Sequence, residues 1–362
     1  MTQAGDAGVA AIVEALAQDQ VEREWDVTVA CAPGSDLANC LRKLGIATVE
    51  WKATRAPDLF LGRELLVLAM VMRRVRPDVI HLHSSKAGLV GRLIVRGSRP
   101  TLFQPHAWSF FAVAGITQRL TIAWERFAMR WTTLLVAVST AELESGIAAG
   151  IRPGQRIVVA NGVDVSRFGK SDRHTVREAL GLPSVPLVVC LGRLAQQKGQ
   201  DILLAAWPDI VRAVADARLI FVGDGPTRGE LQSLAPPGVE FVGNSTSPEM
   251  WYTAADVVVV PSRWEGMPLV PLEAMASART VVAFDVDGIA EAVNGIGAVV
   301  PAGDVQALIT ATVDRLRDPE RAAREGRAGE DRVSRLFTID ACTRRLSEAA
   351  MALVDETTRA PA

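Results

Sequence analysis

The segment Val257-Val258-Val259-Val260-Pro261-Ser262-Arg263-Trp264-Glu265-Gly266-Met267-Pro268-Leu269-Val270-Pro271-Leu272-Glu273-Ala274-Met275-Ala276 passes from four valines through a Gly and Pro loop into an apolar helical pattern. Four β-branched residues without polar alternation predict a strand buried on both faces, as in a parallel sheet covered by helices. The first N–H groups of the following helix lack intrahelical partners, so they face whatever lies beyond the strand and make a ready anion site. Glu265 in the loop and Glu273 eight residues later bring two carboxylates to that place, able to accept hydrogen bonds from hydroxyls. On spacing alone the pair also fits a dipole-complementing helix acid with a solvated loop acid, or two carboxylates that hydrolyse a glycoside.

Working outward, short β-branched runs alternate with longer helical patterns, which predicts βαβ units and the α/β class. The first series of strands is Asp26–Cys31, Ile46–Trp51, Val79–His83, Thr101–Gln104, Leu134–Val138 and Ile157–Val159. The second is Leu187–Leu191, Leu219–Val222, Val239–Val242, Val257–Val260, Val281–Phe284 and Ala298–Val300. The polar segment between the two series carries Gly169, Gly181, Pro183 and Pro186 and reads as a linker. The expected organisation is a domain over 1–165, a linker over 166–186, a second domain over 187–336, and a final helical segment over 337–362 that packs back across the first domain. Two Rossmann-like halves are expected to face a central cleft lined by the loops after the strands.

The chain has 362 residues, 49% hydrophobic and 22% charged, and its 39 basic side chains nearly balance 41 acidic ones. No broad basic field is available for nucleic acid. Cys31, Cys40, Cys190 and Cys342 lack the close spacing of zinc or redox motifs and read as reduced structural thiols. No signal-peptide pattern opens the chain and no apolar run reaches membrane-spanning length, so a cytoplasmic location is expected.

After the first strand of the second half, Leu191-Gly192-Arg193-Leu194-Ala195-Gln196-Gln197-Lys198-Gly199 places two cations ahead of a helix, where they could neutralise a diphosphate or merely be solvated. Gly223-Asp224-Gly225-Pro226-Thr227-Arg228-Gly229 misses a dinucleotide fingerprint by one residue and reads as a tight βα turn. His106, at the end of a strand in Gln104-Pro105-His106-Ala107-Trp108, is a candidate sugar contact beside the more common structural role. His81 and His83 share a strand face, and Asp285 and Asp287 flank Val286; packing and loop capping are favoured for these over a metal.

Together these residues resemble the retaining glycosyltransferases of family 4, which have the GT-B fold. The resemblance runs from about Gly8 to the last helix, and rests on Glu265 to Glu273, on Gly192-Arg193-Leu194 with Lys198-Gly199, and on Asn161-Gly162-Val163-Asp164. It implies transfer of a sugar from a nucleotide diphosphate sugar with retention of anomeric configuration. Arg193 and Lys198 would hold the diphosphate, and Glu273 the ribose hydroxyls. Glu265 and the backbone of Gly266, Met267, Pro268 and Leu269 would grip sugar and phosphates; His106 would approach the sugar and Gly8 would let a loop approach the phosphate. The resemblance implies no cofactor and no divalent metal. The segment His81-Leu82-His83-Ser84-Ser85-Lys86-Ala87-Gly88 looks like members that build exopolysaccharide or capsule, which implies a glycan or lipid-linked acceptor.

A nucleotide-sugar epimerase, a nicotinamide oxidoreductase and a catalytically silent glycan-binding subunit compete with this reading. The glutamate loop with its two cations argues against the first and last, and the missing glycine fingerprint against the second. In Gln118 to Thr133, Trp124, Phe127 and Trp131 recur at helical spacing beside Arg119, Arg126 and Arg130. That segment reads as a core helix with solvated arginines, with peripheral contact at the inner face of a membrane as the alternative. Because Gly8 stands so near Met1, a first strand ahead of it is expected to be missing, so that either an upstream start adds roughly ten residues or the domain is unstable and weakly active.

Overall fold

The computed structural model describes residues 1–2, 8–53 and 61–359. They form two compact units, Met1–Asn161 with Ile339–Ala362, and Gly162–Thr338. The strands are β1 Thr28–Cys31, β2 Ala47–Glu50, β3 Ile80–His83, β4 Thr101–Gln104, β5 Leu134–Ala137 and β6 Gln155–Val158 in the first unit. The second unit holds β7 Leu187–Leu191, β8 Arg218–Val222, β9 Val239–Gly243, β10 Val257–Val260, β11 Thr280–Phe284 and β12 Ala298–Val300. Every strand expected from the β-branched runs is present, with ends displaced by a residue or two.

In the second unit six parallel strands lie in the order β12-β11-β10-β7-β8-β9. β10 is buried at all four valines and pairs with β11 on one side and β7 on the other. An apolar run without alternation is what such a central strand requires, because helices cover both of its faces. The sheet order reverses between β7 and β10. Connections leaving these two strands therefore part in opposite directions, and the crevice beyond their carboxyl ends is the topological switch point.

In the first unit β3-β4-β5-β6 form one parallel sheet and β1-β2 another. Met1 and Thr2 lie between them: Thr2 N–H donates to Ala30 O at 3.0 Å, and His83 N–H donates to Met1 O at 2.9 Å. Gly8 opens the helix Gly8–Glu22 instead of lying in a loop, and the rest of the expected glycine loop, residues 3–7, falls outside the described residues. The helix Ile339–Arg359 packs on Gly8–Glu22, where Ser347 Oγ donates to Asp19 Oδ2 at 2.6 Å.

Residues 166–186, read as a linker, carry the helix Arg173–Ala179 docked within the second unit. Arg177 fixes it by donating to Ala254 O and Val185 O and by pairing with Asp256 at 2.9 Å. The division between the units falls earlier, at Asn161–Gly162.

Two buried ion pairs sit in the first unit, Lys86–Glu64 at 3.0 Å and Arg92–Glu125 at 2.7 Å, and the Arg92 guanidinium lies 3.9 Å over the Phe103 ring. The four cysteines are free, and burial pushes the Cys190 thiol up to about 12. Among the described residues no helix is long and apolar enough to cross a membrane.

Candidate functional site

The switch point of the second unit is built by two loops, Gly192–Gly199 after β7 and Pro261–Pro268 after β10. A main-chain bond and a side-chain bond lock them together: Arg263 N–H donates to Gln197 O at 2.8 Å, and the Gln197 side-chain Nε2 donates to Trp264 O at 3.0 Å. The Arg263 side chain ties the same loops by donating to Gln196 O and forking onto Asp201 at 2.8 and 2.6 Å. Its guanidinium holds the Asp201 carboxyl below the usual range. Gly199 has φ +68°, and a Cβ there would lie 1.9 Å from Pro261 O, so only glycine permits the approach. Gly288, φ +75°, plays the same part beyond β11, where a Cβ would lie 2.0 Å from Gly266 O.

These contacts bring Lys198 and Glu265 together. Lys198 Nζ donates to Glu265 Oε1 at 2.6 Å, and Ser262 Oγ donates to the same oxygen at 2.7 Å. Glu265 is only 4% exposed, so its charge depends on these two donors. Ser262 escaped the sequence reading although it stands three residues before Glu265. Arg193 is half-buried in the β7 loop, and its carbonyl accepts from Gln200 Nε2 at 3.0 Å.

Gly266, Met267 and Pro268 are buried, and the helix Leu269–Ala276 starts behind them with no side-chain cap from Pro268. Glu273 is the fifth residue of this helix and half-buried. Its Oε2 accepts from Tyr252 Oη at 2.6 Å. Burial raises the Glu273 pKa against the lowering effect of that bond, and burial followed by the Glu273 charge lifts the Tyr252 phenol well above its usual value. Tyr252 is the chain's single tyrosine, a signal the spacing argument passed over.

Gly223–Gly229 forms a tight turn: Leu194 N–H donates to Asp224 O, Thr227 N–H to Leu194 O, and the helix begins at Arg228. The turn braces the Arg193 loop.

His106 belongs to the first unit, beyond β4. Its backbone has φ +56° and that of Ala107 φ +96°. His106 Nε2 shares a proton with His83 Nδ1 at 3.0 Å, the His83 ring lies 3.9 Å from that of His81, and His106 Nδ1 is buried without a partner. Burial pushes His81 and His106 down to about 3 and His83 well below its ordinary value, so all three are neutral near pH 7. Among the described residues no group of three or more His, Cys, Asp or Glu is placed to hold a metal ion.

Two family models match along the chain, Glycosyltransferase Family 4 over residues 7–167 and Glycosyl transferases group 1 over 185–318. The lipopolysaccharide core biosynthesis mannosyltransferase LpsB of Rhizobium meliloti is 34% identical over 62% of this chain and 67% of its own length. The chain belongs to the family 4, group 1 glycosyltransferases. Another member, the GDP-mannose-dependent alpha-(1-6)-phosphatidylinositol monomannoside mannosyltransferase of Mycolicibacterium smegmatis, is 40% identical over 46% of this chain, which spans about half of that relative's length (49%). Among solved structures, Anabaena HepE in complex with UDP and glucose has a TM-score of 0.83 at 23% identity, covering 97% of this chain and 98% of that one. Sucrose-phosphate synthase of Thermosynechococcus elongatus has a TM-score of 0.82 at 24% identity, covering 97% and 94%. Both likenesses give this family member the GT-B fold.

Proposed function

We propose that the protein transfers a sugar from a nucleoside diphosphate sugar to a glycan or lipid-linked acceptor, with retention of configuration at the sugar's C1. The observation that carries this reading is the Lys198–Glu265–Ser262 network at the switch point, beside the start of the helix Leu269–Ala276. A cation, a carboxylate and the first amides of a helix in one place suit a ligand that is anionic at one end and hydroxylated at the other.

Arg193 and Lys198 hold the diphosphate, and Glu273 accepts from the ribose hydroxyls. Glu265, with the backbone of Gly266 to Leu269, grips the sugar, and His106 approaches it. The C1–O bond to the diphosphate breaks as the acceptor oxygen bonds to C1 on the same face, and the acceptor's proton passes to the departing diphosphate. Charge on that leaving group is met by Arg193, Lys198 and the helix amides, so no divalent ion is required. HepE was crystallised with UDP, and two relatives are named as mannosyltransferases, which sets the range of donors to try. A panel of UDP, GDP and ADP sugars scored by protection against thermal unfolding identifies the donor. Turnover should survive EDTA, and NMR of the product should show the donor's anomeric configuration. An inverted product refutes retention.

The helix Gly115–Ala128 supports a lipid-linked acceptor. Ile116, Leu120 and Phe127 recur at intervals of four and seven on one face and are 77%, 65% and 43% exposed. Arg119, Arg126 and Arg130 flank that face, while Glu125 points inward to Arg92. Trp124, Phe127 and Trp131 pack on one another, yet Phe127 keeps an open side. An apolar stripe whose exposed charged neighbours are all cations suits an anionic lipid surface. Flotation with anionic liposomes at low salt should carry the protein upward, and protein left in the soluble fraction refutes peripheral attachment.

A further inference from the structure

The His106–Ala107 turn has positive φ at two successive non-glycine residues, and Ala107 at φ +96° needs an outside restraint. The restraint comes from the helix Thr140–Ala148. Ser139-Thr140-Ala141-Glu142 has the spacing of a capping box, and Ser139 Oγ accepts from Glu142 N–H at 3.0 Å. In such a box the acid reaches back to the cap residue's own N–H. Here the Glu142 carboxylate goes further: Oε2 accepts from Val138 N–H at 2.7 Å, and Oε1 accepts from Ala107 N–H at 2.6 Å. The Glu142 carbonyl also accepts from Trp108 Nε1 at 2.7 Å, and Gly146, one turn on, leaves room for the Trp108 indole. Glu142 is fully buried.

We infer that Glu142 is a positioning residue for His106: its carboxylate, fixed by the helix start and the end of β5, holds Ala107 N–H and so sets the left-handed turn that aims the imidazole. The inference rests on His106 meeting the sugar for its effect on turnover, but not for its effect on the ring. The aim of the ring matters because His83 already occupies Nε2 and Nδ1 is buried without a partner, so the ring's orientation decides which edge a ligand can reach. Reorienting a contact by an ångström in such a site lowers turnover by about 10²-fold.

The chain has four histidines, so ring NMR signals of labelled protein can be assigned with a His106→Ala variant. Glu142→Ala should shift or split the His106 signal and lower turnover on the donor found above, while UDP or GDP affinity by calorimetry stays as in the wild type. Glu142→Gln, which keeps one acceptor oxygen, should lose less, and it carries the test should the alanine variant fail to fold. Adding Ala107→Gly removes the conformational penalty at that position, so in either background it should restore a single His106 signal and part of the turnover. A purely structural role for Glu142 gives no such rescue. An unmoved His106 signal in the folded Glu142 variants, or a loss that Ala107→Gly leaves untouched, overturns the inference. If His106→Ala keeps full turnover while the Glu142 variants still move the ring signal, the sugar-contact role falls and the positioning of the ring stands.

Discussion

Removing Lys198 should destabilise the empty protein more than removing Glu265, although the two make the same ion pair. The side chain of Glu265 is 6% exposed and that of Lys198 22%. In Lys198→Ala the carboxylate stays buried with Ser262 Oγ as its donor at 2.7 Å. Breaking a fully buried pair in this sense costs about 3–5 kcal/mol, and the water admitted where Lys198 stood reduces that to roughly 2–3 kcal/mol. In Glu265→Ala the ammonium turns outward to solvent, and the loss is about 1 kcal/mol, as for partly exposed pairs. For a unit of this size each kcal/mol moves the melting temperature by about 2–4 °C. The Lys198→Ala transition should therefore fall by roughly 4–12 °C and that of Glu265→Ala by about 2–4 °C. The double variant should melt above Lys198→Ala, because no buried charge is left behind. Calorimetric scans at pH 7.5 without nucleotide read all three. Equal losses in the single variants, or additive losses in the double, would refute the account of Glu265 as the dependent partner.

In ligand binding the order changes: Arg193→Ala and Lys198→Ala should each weaken UDP or GDP binding by about tenfold or more, while Glu265→Ala mainly lowers turnover; calorimetric titration and donor kinetics separate the two. Gly199→Ala forces a Cβ to 1.9 Å from Pro261 O at a left-handed position, and should cost about 2–4 kcal/mol and abolish donor protection in a melting assay. Acid should unfold the first unit early. His81 and His106 fall from 6.5 to about 3 on folding, so the unfolded chain binds protons that the fold refuses between those values. Stability is then full above pH 6.5 and drops as pH falls towards 3, by about 1.4 kcal/mol per histidine at pH 5.5; His81→Gln should flatten the melting temperature between pH 7.5 and 5.5, and an unchanged slope counts against a buried neutral ring.

The central strands were legible because burial on both faces leaves a mark that neighbouring residues share. Val257–Val260 and Leu187–Leu191 are apolar throughout, and their order in the chain suffices to predict parallel pairing. The helix Arg173–Ala179 left no such mark: Val176 is its one buried residue, the rest is largely polar, and Arg177 holds it by bonds that reach Ala254 and Asp256 far along the chain. The glutamates and cations of the proposed donor site stood out in type and spacing, whereas their partnerships did not. Lys198 and Glu265 are 67 residues apart, Arg263 and Asp201 62, and Ala107 and Glu142 35. Local pattern says that Ser139-Thr140-Ala141-Glu142 caps a helix, and only the fold says that the acid's second oxygen serves a different loop.

That difference bears on how each unit keeps its reactive groups in place. At the switch point of the second unit, glycine supplies the close approaches at Gly199 and Gly288, and Arg263 spans both loops, so the geometry there is relaxed and many bonds hold it. The Lys198–Glu265 pair then keeps the site near neutrality without ligand, and an arriving diphosphate competes with one carboxylate oxygen for the ammonium instead of with bulk solvent. The first unit uses the opposite device. No glycine stands at His106 or Ala107, and the turn is held by the Glu142 carboxylate at Ala107 N–H, by the Glu142 carbonyl at Trp108 Nε1 and by His83 at the His106 ring. A relaxed loop held by many bonds spreads the cost of losing one, whereas a turn with positive φ at two non-glycine residues leans harder on each bond that holds it. Sensitivity to mutation in the first unit should therefore concentrate at Glu142, outside the residues that meet the ligand.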